Sequence, residues 1–373
     1  MANTLNLGNG DWATKENSLL GYNSENGNYK PLPFDFTRAS NGTFVNKSGL
    51  IETAANGVPR IDFLGNTKGA LLLEPQRTNV LPYSQDFSHS SWLKNDVSIQ
   101  SGYLAPDGTN NAYKVTSTGT NPHLVNVATG GNTGAKSIYA KTTSGTGTVI
   151  LFNNVTTYFT ITEEWQRFEI EQDGLDFFYA VDFRGASTLT EIIIWGAQSE
   201  AGSYATSLIN TQGSAVTRVQ DVCKIVDSPI LQATNQFTLF FDAKDFVNYG
   251  ATFANIMITL GAGESPYDAG SGIHIYNKIW YYFNGSSAVT LGNCYNATTD
   301  SKFAISYDGT KYTRYANGVK LGTNTVSASM SNWDTLTNGS LSYSGVDRIF
   351  NIADLKLYNT ALSDSEAIAL TQV

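Results

Sequence analysis

The chain is poor in the residues that most catalytic and metal chemistry uses. Its 373 residues include three histidines, His89, His123 and His274, and two cysteines, Cys223 and Cys294. The cysteines lie far apart with no second pair, so neither a disulfide framework nor a zinc site is indicated and stability must come from packing. Charged residues make up 15% of the chain, against about 25% in an average globular protein. Asn, Thr, Ser and Gly therefore carry its solubility. The 23 basic and 32 acidic residues give a net charge of −9 without any basic run. Nothing is present to neutralise a phosphate backbone, so nucleic acid is not an expected partner, and an anionic membrane surface is a poor one. No apolar stretch approaches the ~20 residues of a membrane span, and the start MANTLNLGNGDWATK has neither a basic opening nor a signal-length apolar run. The expectation is synthesis in a cytosol, without membrane insertion.

Local signatures of catalysis are also missing. There is no G-x-S-x-G elbow and no H-E-x-x-H, and the closely spaced Glu-x-Asp-x-x-Glu of retaining glycosidases on β-sandwiches does not occur. Glu163 and Glu164 stand side by side before Trp165, and on a strand they would point to opposite faces. A turn ahead of a strand explains them better. Gly131–Ser137, GNTGAKS, looks like a phosphate loop but lacks the adjacent Gly-Lys pair and lies among strand-like runs, where a hairpin turn accounts for it.

What the chain does contain is strand-forming. Aromatics reach 12%, and 34 glycines supply turn geometries that other residues resist. The predicted fold class is all-β: a loop-rich N-terminal module followed by two tandem antiparallel β-sandwiches, a jelly roll and then a concanavalin-like domain, with one short C-terminal helix. Residues 1–88 have few alternating runs and many turn-formers, among them Pro31, Pro33 and Asn41-Gly42. They predict an attachment or oligomerisation module that gains stability by wrapping the next domain or another copy of the chain. Residues 89–222 hold short strands at regular intervals, such as AYKVTS, KSIYAKT, GTVILFN, WQRFEIEQ and TEIIIWGAQ, and Trp165, Phe168 and Ile170 are expected on one core face. Residues 223–373 form a second series with turns at Asp308-Gly309 and Asn317-Gly318, closed by a capping box, Ser363-Asp364-Ser365-Glu366, that starts the helix.

Three segments carry family resemblances. GALLLEPQRTNVLPYSQDFS, Gly69 to Ser88, resembles a segment recurrent in bacteriophage tail and head-fibre proteins. The block from Ala105-Pro106-Asp107-Gly108 to Trp195-Gly196-Ala197-Gln198, and above all Gly196 to Cys223, resembles carbohydrate-binding jelly rolls of phage tail proteins, with Ser199 where that family usually has Leu. The last part, ending DLKLYNTALSDSEAIAL, resembles concanavalin-like and laminin-G-like sandwiches. These resemblances imply a virion fibre or tail-associated subunit. It would be a homotrimer, joined to other virion proteins through its N-terminal module and released by lysis, and would attach to host-surface polysaccharide without catalysing a reaction. A tail-spike glycan depolymerase and a purely architectural virion protein stay open as alternatives.

Candidate residues follow. Arg60 and Asp62 in PRIDF, with Glu74, Arg77 and Asn79, predict a paired network at a domain or subunit junction, because a guanidinium grips carboxylates bidentately. Sugar binding needs exposed rings beside polar groups. In GIHIYNKIWYYFNG a three-residue loop, Tyr276 to Lys278, would bury Ile273, Ile275, Ile279, Tyr281 and Phe283 and present His274, Trp280 and Tyr282 as a ligand-binding patch. A two-residue turn would move Trp280 and Tyr282 to the other set. No cofactor is expected beyond a structural calcium ion, for which Asp107 is the candidate ligand.

Overall fold

The structure is a computed structural model. It describes residues 35–65, 67–127, 134–152, 157–171, 177–202, 204–225, 235–244, 258–261, 271–276, 279–284, 286–294, 301–326, 335–338 and 350–373, with the backbone of strands Thr4–Gly8, Trp12–Lys15, Ser18–Asn23 and Asn28–Pro31. The all-β expectation holds: the strands pair antiparallel throughout, and the one helix among the described residues is Asp364–Leu370. Among the described residues no helix is long and apolar enough to cross a membrane.

The chain divides into two compact units rather than three. The first comprises Met1–Gly49, Ala54–Pro75 and Val219–Val373, the second Leu50–Thr53 and Gln76–Arg218. The divisions between the units fall at 75/76 and 218/219, beside the expected 88 and 222. Short N-terminal strands have too little apolar surface for a core of their own, and open sheet edges offer them partners. Thr4–Gly8 pairs with Phe350–Tyr358, Asp35–Thr37 pairs with Val222–Ile225, and Arg60–Asp62 and Ala70–Leu73 extend the sheet that contains Phe350–Tyr358.

The first unit is a two-sheet sandwich. Sheet I runs Val319–Thr325, Lys311–Ala316, Ser301–Tyr307, Phe237–Lys244, Phe350–Tyr358, Ala70–Leu73, Arg60–Asp62, with Thr4–Gly8 also on Phe350–Tyr358. Sheet II runs Ala288–Asn293, Ile279–Asn284, Ser271–Tyr276, Ile258–Gly261, Thr335–Asn338, Val222–Ile225, Asp35–Thr37. Leu239, Phe241, Phe303, Ile305 and Leu355 from sheet I meet Ile273, Ile275, Trp280, Tyr282 and Leu291 from sheet II in one core. Alternation along the strands puts these residues on the inner faces. Asn317 and Gly318 both have positive φ, at 48° and 77°, and make the two-residue turn that the Asn-Gly pair predicts. The capping box forms, with Ser363 accepting from the Glu366 N–H and Glu366 accepting from the Ser363 N–H. Ala367, Leu362 and Ile368 then pack on Phe240 and Tyr315, on the outer face of sheet I.

The second unit is another sandwich. Sheet III runs Trp92–Asn95, His123–Asn126, Phe178–Asp182, Gly147–Phe152, Tyr158–Ile161, and sheet IV runs Val97–Tyr103, Ala112–Ser117, Glu191–Glu200, Ala135–Lys141, Gln166–Ile170. Leu124, Val149, Leu151, Phe178 and Val181 face Val115, Ile138, Ala140, Ile192 and Ile194 across the core, with Phe168 and Ile170 packed against it. Trp165 does not join them. It packs with Trp195, Ala105 and Leu208 on the outer face of sheet IV, as its odd spacing from Phe168 requires. Glu163 and Glu164 lie in the bend before strand Gln166–Ile170, and Glu163 accepts from the Gly145 N–H at 2.6 Å. Of the phosphate-loop look-alike, Gly131 to Thr133 lie outside the described residues, and Ala135 to Ser137 begin a strand.

Candidate functional site

The structure places His274, Trp280 and Tyr282 in the interior. Strands Ser271–Tyr276 and Ile279–Asn284 pair Tyr276 with Ile279 and Ile275 with Trp280, a two-residue connection. Relative to a three-residue loop this shifts the register by one residue, so Trp280 and Tyr282 join Ile273 and Ile275 in the core. His274 points the other way, is fully buried, and stacks on Tyr281 at 5.5 Å; burial holds its pKa down at about 4. The expected exposed patch is therefore corrected. Two-residue turns match strand twist better than three-residue ones, and that preference outweighed the tidier apolar segregation of the alternative.

The five residues expected at a junction are all buried, but the fold divides them between two networks. In the first unit Arg60 donates to Glu74 at 2.6 Å and to Asp221, and Arg38 donates to the other Asp221 oxygen at 3.0 Å. The Glu74 N–H also donates to Asp221, at 2.8 Å. Two guanidinium groups and two carboxylates balance in charge, which makes their burial tolerable. Burial alone would lower the Arg60 pKa, yet Asp221 and Glu74 raise it. Asp62 stands beside this network and accepts from the N–H groups of Val45 and Leu64; burial pushes its pKa up to about 6. Leu71 and Leu73 enter the core and Leu72 is buried beside them.

In the second unit Arg77 lies 3.8 Å from Glu200 and over the Tyr204 ring at 5.2 Å. Glu200 accepts from Gln198 and from both the N–H and hydroxyl of Thr206, and Arg218 donates to that same hydroxyl at 3.1 Å. Asn79 donates to the carbonyls of Ala197 and Ile209 and accepts from the N–H groups of Leu81 and Ser199. Its amide thus ties the Arg77–Asn79 segment to strand Glu191–Glu200, and both ends are used. Asp107 closes a turn by accepting from the N–H and hydroxyl of Thr109. Among the described residues no group of three His, Cys, Asp or Glu assembles around Asp107 or elsewhere.

A dense polar cluster lies on the outer face of sheet III, with His123 and Asp182 buried and Asn95, Asn121, Tyr179 and Arg184 reaching the surface. A register row crosses all five strands there: Asn95, His123, Asp182, Ile150, Tyr158. Arg184 grips Asp182 with two parallel bonds, Nε to Oδ1 at 2.8 Å and Nη2 to Oδ2 at 2.5 Å, and donates to the Asn121 amide oxygen at 3.0 Å. This Asp182 contact raises the Arg184 pKa further. His123 Nδ1 contacts the Asn121 carbonyl at 2.9 Å and Nε2 contacts the Asn95 amide nitrogen at 2.9 Å. A carbonyl only accepts, so Nδ1 carries the proton and Nε2 accepts from Asn95. Burial, then the Arg184 charge, depresses the His123 pKa, and the ring is neutral near pH 7. Half-buried Tyr179 flanks the row, 5.5 Å from the His123 ring and 5.7 Å from the Arg184 guanidinium. Beside it Leu93 is 45% exposed and Val127 61% exposed.

A β-bulge makes this face and hides it from sequence patterning. Leu124 pairs with Val181 but Val125 pairs with Tyr179, so Ala180 is the extra residue. Tyr179 and Asp182, of opposite parity, thereby share one face. A saccharide presents apolar C–H patches edged with hydroxyls. This face offers the half-buried Tyr179 ring and exposed aliphatics beside the Asn95 and Asn121 amides and the Arg184 guanidinium, held from behind by the buried His123 and Asp182. The Asp182–Arg184 pair is electrically balanced, and the surface amides and guanidinium are the groups that can meet hydroxyls.

No protein-family model matches the sequence, and no curated protein matches it. Solved structures do. The Ruminococcus gnavus IT-sialidase CBM40 bound to alpha2,3 sialyllactose is 18% identical over 38% of this chain and 85% of its own, with a TM-score of 0.30. Domain 4 of AbnA, a GH43 extracellular arabinanase from Geobacillus stearothermophilus, in complex with arabinotriose, is 16% identical over 46% of this chain and 83% of its own, with a TM-score of 0.33. The binding domain of Botulinum neurotoxin DC in complex with rat synaptotagmin II is 14% identical over 40% of this chain, which spans 39% of that domain, with a TM-score of 0.33. At this level of similarity, the ligand of this chain must be argued from its own residues.

Proposed function

We propose that this chain is a non-enzymatic adhesin that binds cell-surface glycan through the outer face of sheet III. The observation that carries the reading is the Tyr179 ring set beside the Asn95–His123–Asp182–Arg184 row, with Leu93 and Val127 exposed next to it. The resemblance of Gly69–Ser88 to phage fibre segments extends the proposal to a virion fibre or tail-associated subunit. Such a subunit would be trimeric, with weak sites multiplied by effective concentration. The two buried networks fit load-carrying architecture, since their carboxylates are committed to arginine, amide and hydroxyl partners. The test is a glycan array probed with the full chain, paired with an assay for new reducing ends. Retention without chain cleavage is expected. Failure to bind any bacterial surface glycan would leave an architectural role.

A hydrolytic reading has one observation in its favour. Asp242 and Asp354 are register partners on the outer face of sheet I, and cross-strand Cβ atoms lie about 4.5–5.5 Å apart, near the ~5 Å separation of retaining glycosidase carboxylates. Burial raises the Asp354 pKa, as an acid catalyst needs, although Lys356 contacts it at 2.6 Å. Reducing ends released by the native chain but not by Asp354→Asn would favour this reading over adhesion.

A further inference from the structure

The outer face of sheet IV lies on the side away from the shared core and from the sheet III row; its middle is covered by the Trp195 cluster, and charged side chains and Trp165 stand partly exposed around it. Three cations there stand over aromatic rings. Lys114 Nζ is 5.9 Å from the Tyr103 centroid, Lys141 Nζ is 5.6 Å from that of Trp165, and the Arg167 guanidinium is 5.6 Å from that of Tyr139. Register places Lys114 and Lys141 on either side of Ile193, with Glu191 one pleat further along beside Thr116. Their charges are not equally committed. Lys114 pairs with Glu191 at 3.3 Å, and Arg167 donates to the Ser137 hydroxyl and the Thr206 carbonyl. Lys141 has no carboxylate within ion-pair distance among the described residues; its contact is the Trp165 ring.

The surroundings of Lys141 select a ligand. Trp165 is half-buried, and its indole N–H donates to the Leu104 carbonyl at 3.2 Å, which fixes the ring. Leu104, whose carbonyl takes that bond, is 59% exposed and supplies an aliphatic side chain at the same end of the sheet. The Thr143 hydroxyl, donating to Glu191 at 2.7 Å, and the Thr116 hydroxyl lie across the sheet as polar rim groups. Of the acids in the nearby bend, Glu163 is turned onto the Gly145 N–H and Glu164 is exposed. A lone ammonium beside an apolar platform suits a ring that carries an anion at its edge. A neutral sugar would leave that ammonium without a counter-charge.

We infer that this face is a second saccharide site, specific for a hexuronate, whose pyranose C–H face packs on Trp165 and Leu104 while its carboxylate meets Lys141. It shares no residue with the Tyr179 face, so either site can fail alone.

The test is calorimetric titration of the full chain with tetragalacturonate and with its carboxyl-reduced counterpart, on wild type, Lys141→Gln, Trp165→Ala and Tyr179→Ala. Wild type should bind the acid, and more weakly as salt rises. Lys141→Gln and carboxyl reduction should each weaken binding roughly tenfold or more, while Tyr179→Ala leaves it unchanged. Lys141→Gln keeps the test open should Trp165→Ala fail to fold. No binding of tetragalacturonate, equal binding of the reduced oligomer, or affinity undiminished in Lys141→Gln would overturn the inference. Loss of uronate binding in Tyr179→Ala alone would also overturn it, by assigning the ligand to sheet III.

Discussion

Removing the Asp221 carboxylate should unfold the first unit far more easily than its size suggests. Asp221 is fully buried and holds three donors at once: the Arg38 guanidinium, the Arg60 guanidinium and the Glu74 N–H. Asp221→Ala would leave two buried guanidinium groups with Glu74 as their one remaining carboxylate partner in this network. Breaking a buried ion pair from one side costs about 3–5 kcal/mol. For a unit of this size 1 kcal/mol moves the midpoint by roughly 2–4 °C, so the melting temperature should fall by about 6–20 °C. Asp221→Asn preserves volume and removes the charge; a loss of about 3 kcal/mol there separates the electrostatic cause from cavity formation. The assay is urea unfolding followed by tryptophan fluorescence, with the m-value checked for constancy. Both variants lying within ~1 kcal/mol of wild type would refute the reasoning.

Other outcomes follow from the same contacts. Tyr312 is fully buried, its hydroxyl has no hydrogen-bond partner among the described residues, and burial pushes its pKa up; Tyr312→Phe should be neutral or stabilising by up to about 1–3 kcal/mol in the same denaturation assay. Asn79→Asp should destabilise the second unit by ~2 kcal/mol or more, because a carboxylate cannot donate to the Ala197 and Ile209 carbonyls; an unchanged midpoint would contradict the role given to that amide. Two groups give opposite pH slopes. His274, depressed from 6.5 to about 4, takes up protons on unfolding, so its contribution is complete above pH 6.5 and lost as pH falls through 4. Asp62, raised from 3.8 to about 6, contributes most below 3.8 and loses that contribution as pH rises through 6. Each is worth about 3 kcal/mol, so between pH 4 and 6 they nearly cancel. Stability of His274→Phe should then decline as pH rises across that window, and identical pH profiles for variant and wild type would show that His274 does not titrate as described.

The sequence made strand periodicity, the Asn317-Gly318 turn and the Ser363 capping box legible because each depends on neighbours within a few residues. The buried status of Arg60, Asp62, Glu74, Arg77 and Asn79 could also be read, since polar groups flanking Leu71–Leu73 need partners. Their division into two networks could not: Asp221 and Glu200, which complete them, lie more than a hundred residues away from Arg60 and Arg77. The ligand patch failed on a single residue of loop length, because register inverts every side chain of a strand. The sheet III face was hidden for a related reason. The extra residue Ala180 breaks the alternation that would have placed Tyr179 and Asp182 together.

Chemical-shift mapping of the full chain titrated with a glycan it retains on the array tests the central claim most directly. Adhesion through sheet III predicts that a neutral glycan moves the Asn95 and Asn121 side-chain amides, the His123 ring and the Tyr179 ring, and that Tyr179→Ala removes these shifts without unfolding the second unit. Shifts confined to other surfaces, with Tyr179→Ala binding as wild type, would contradict it.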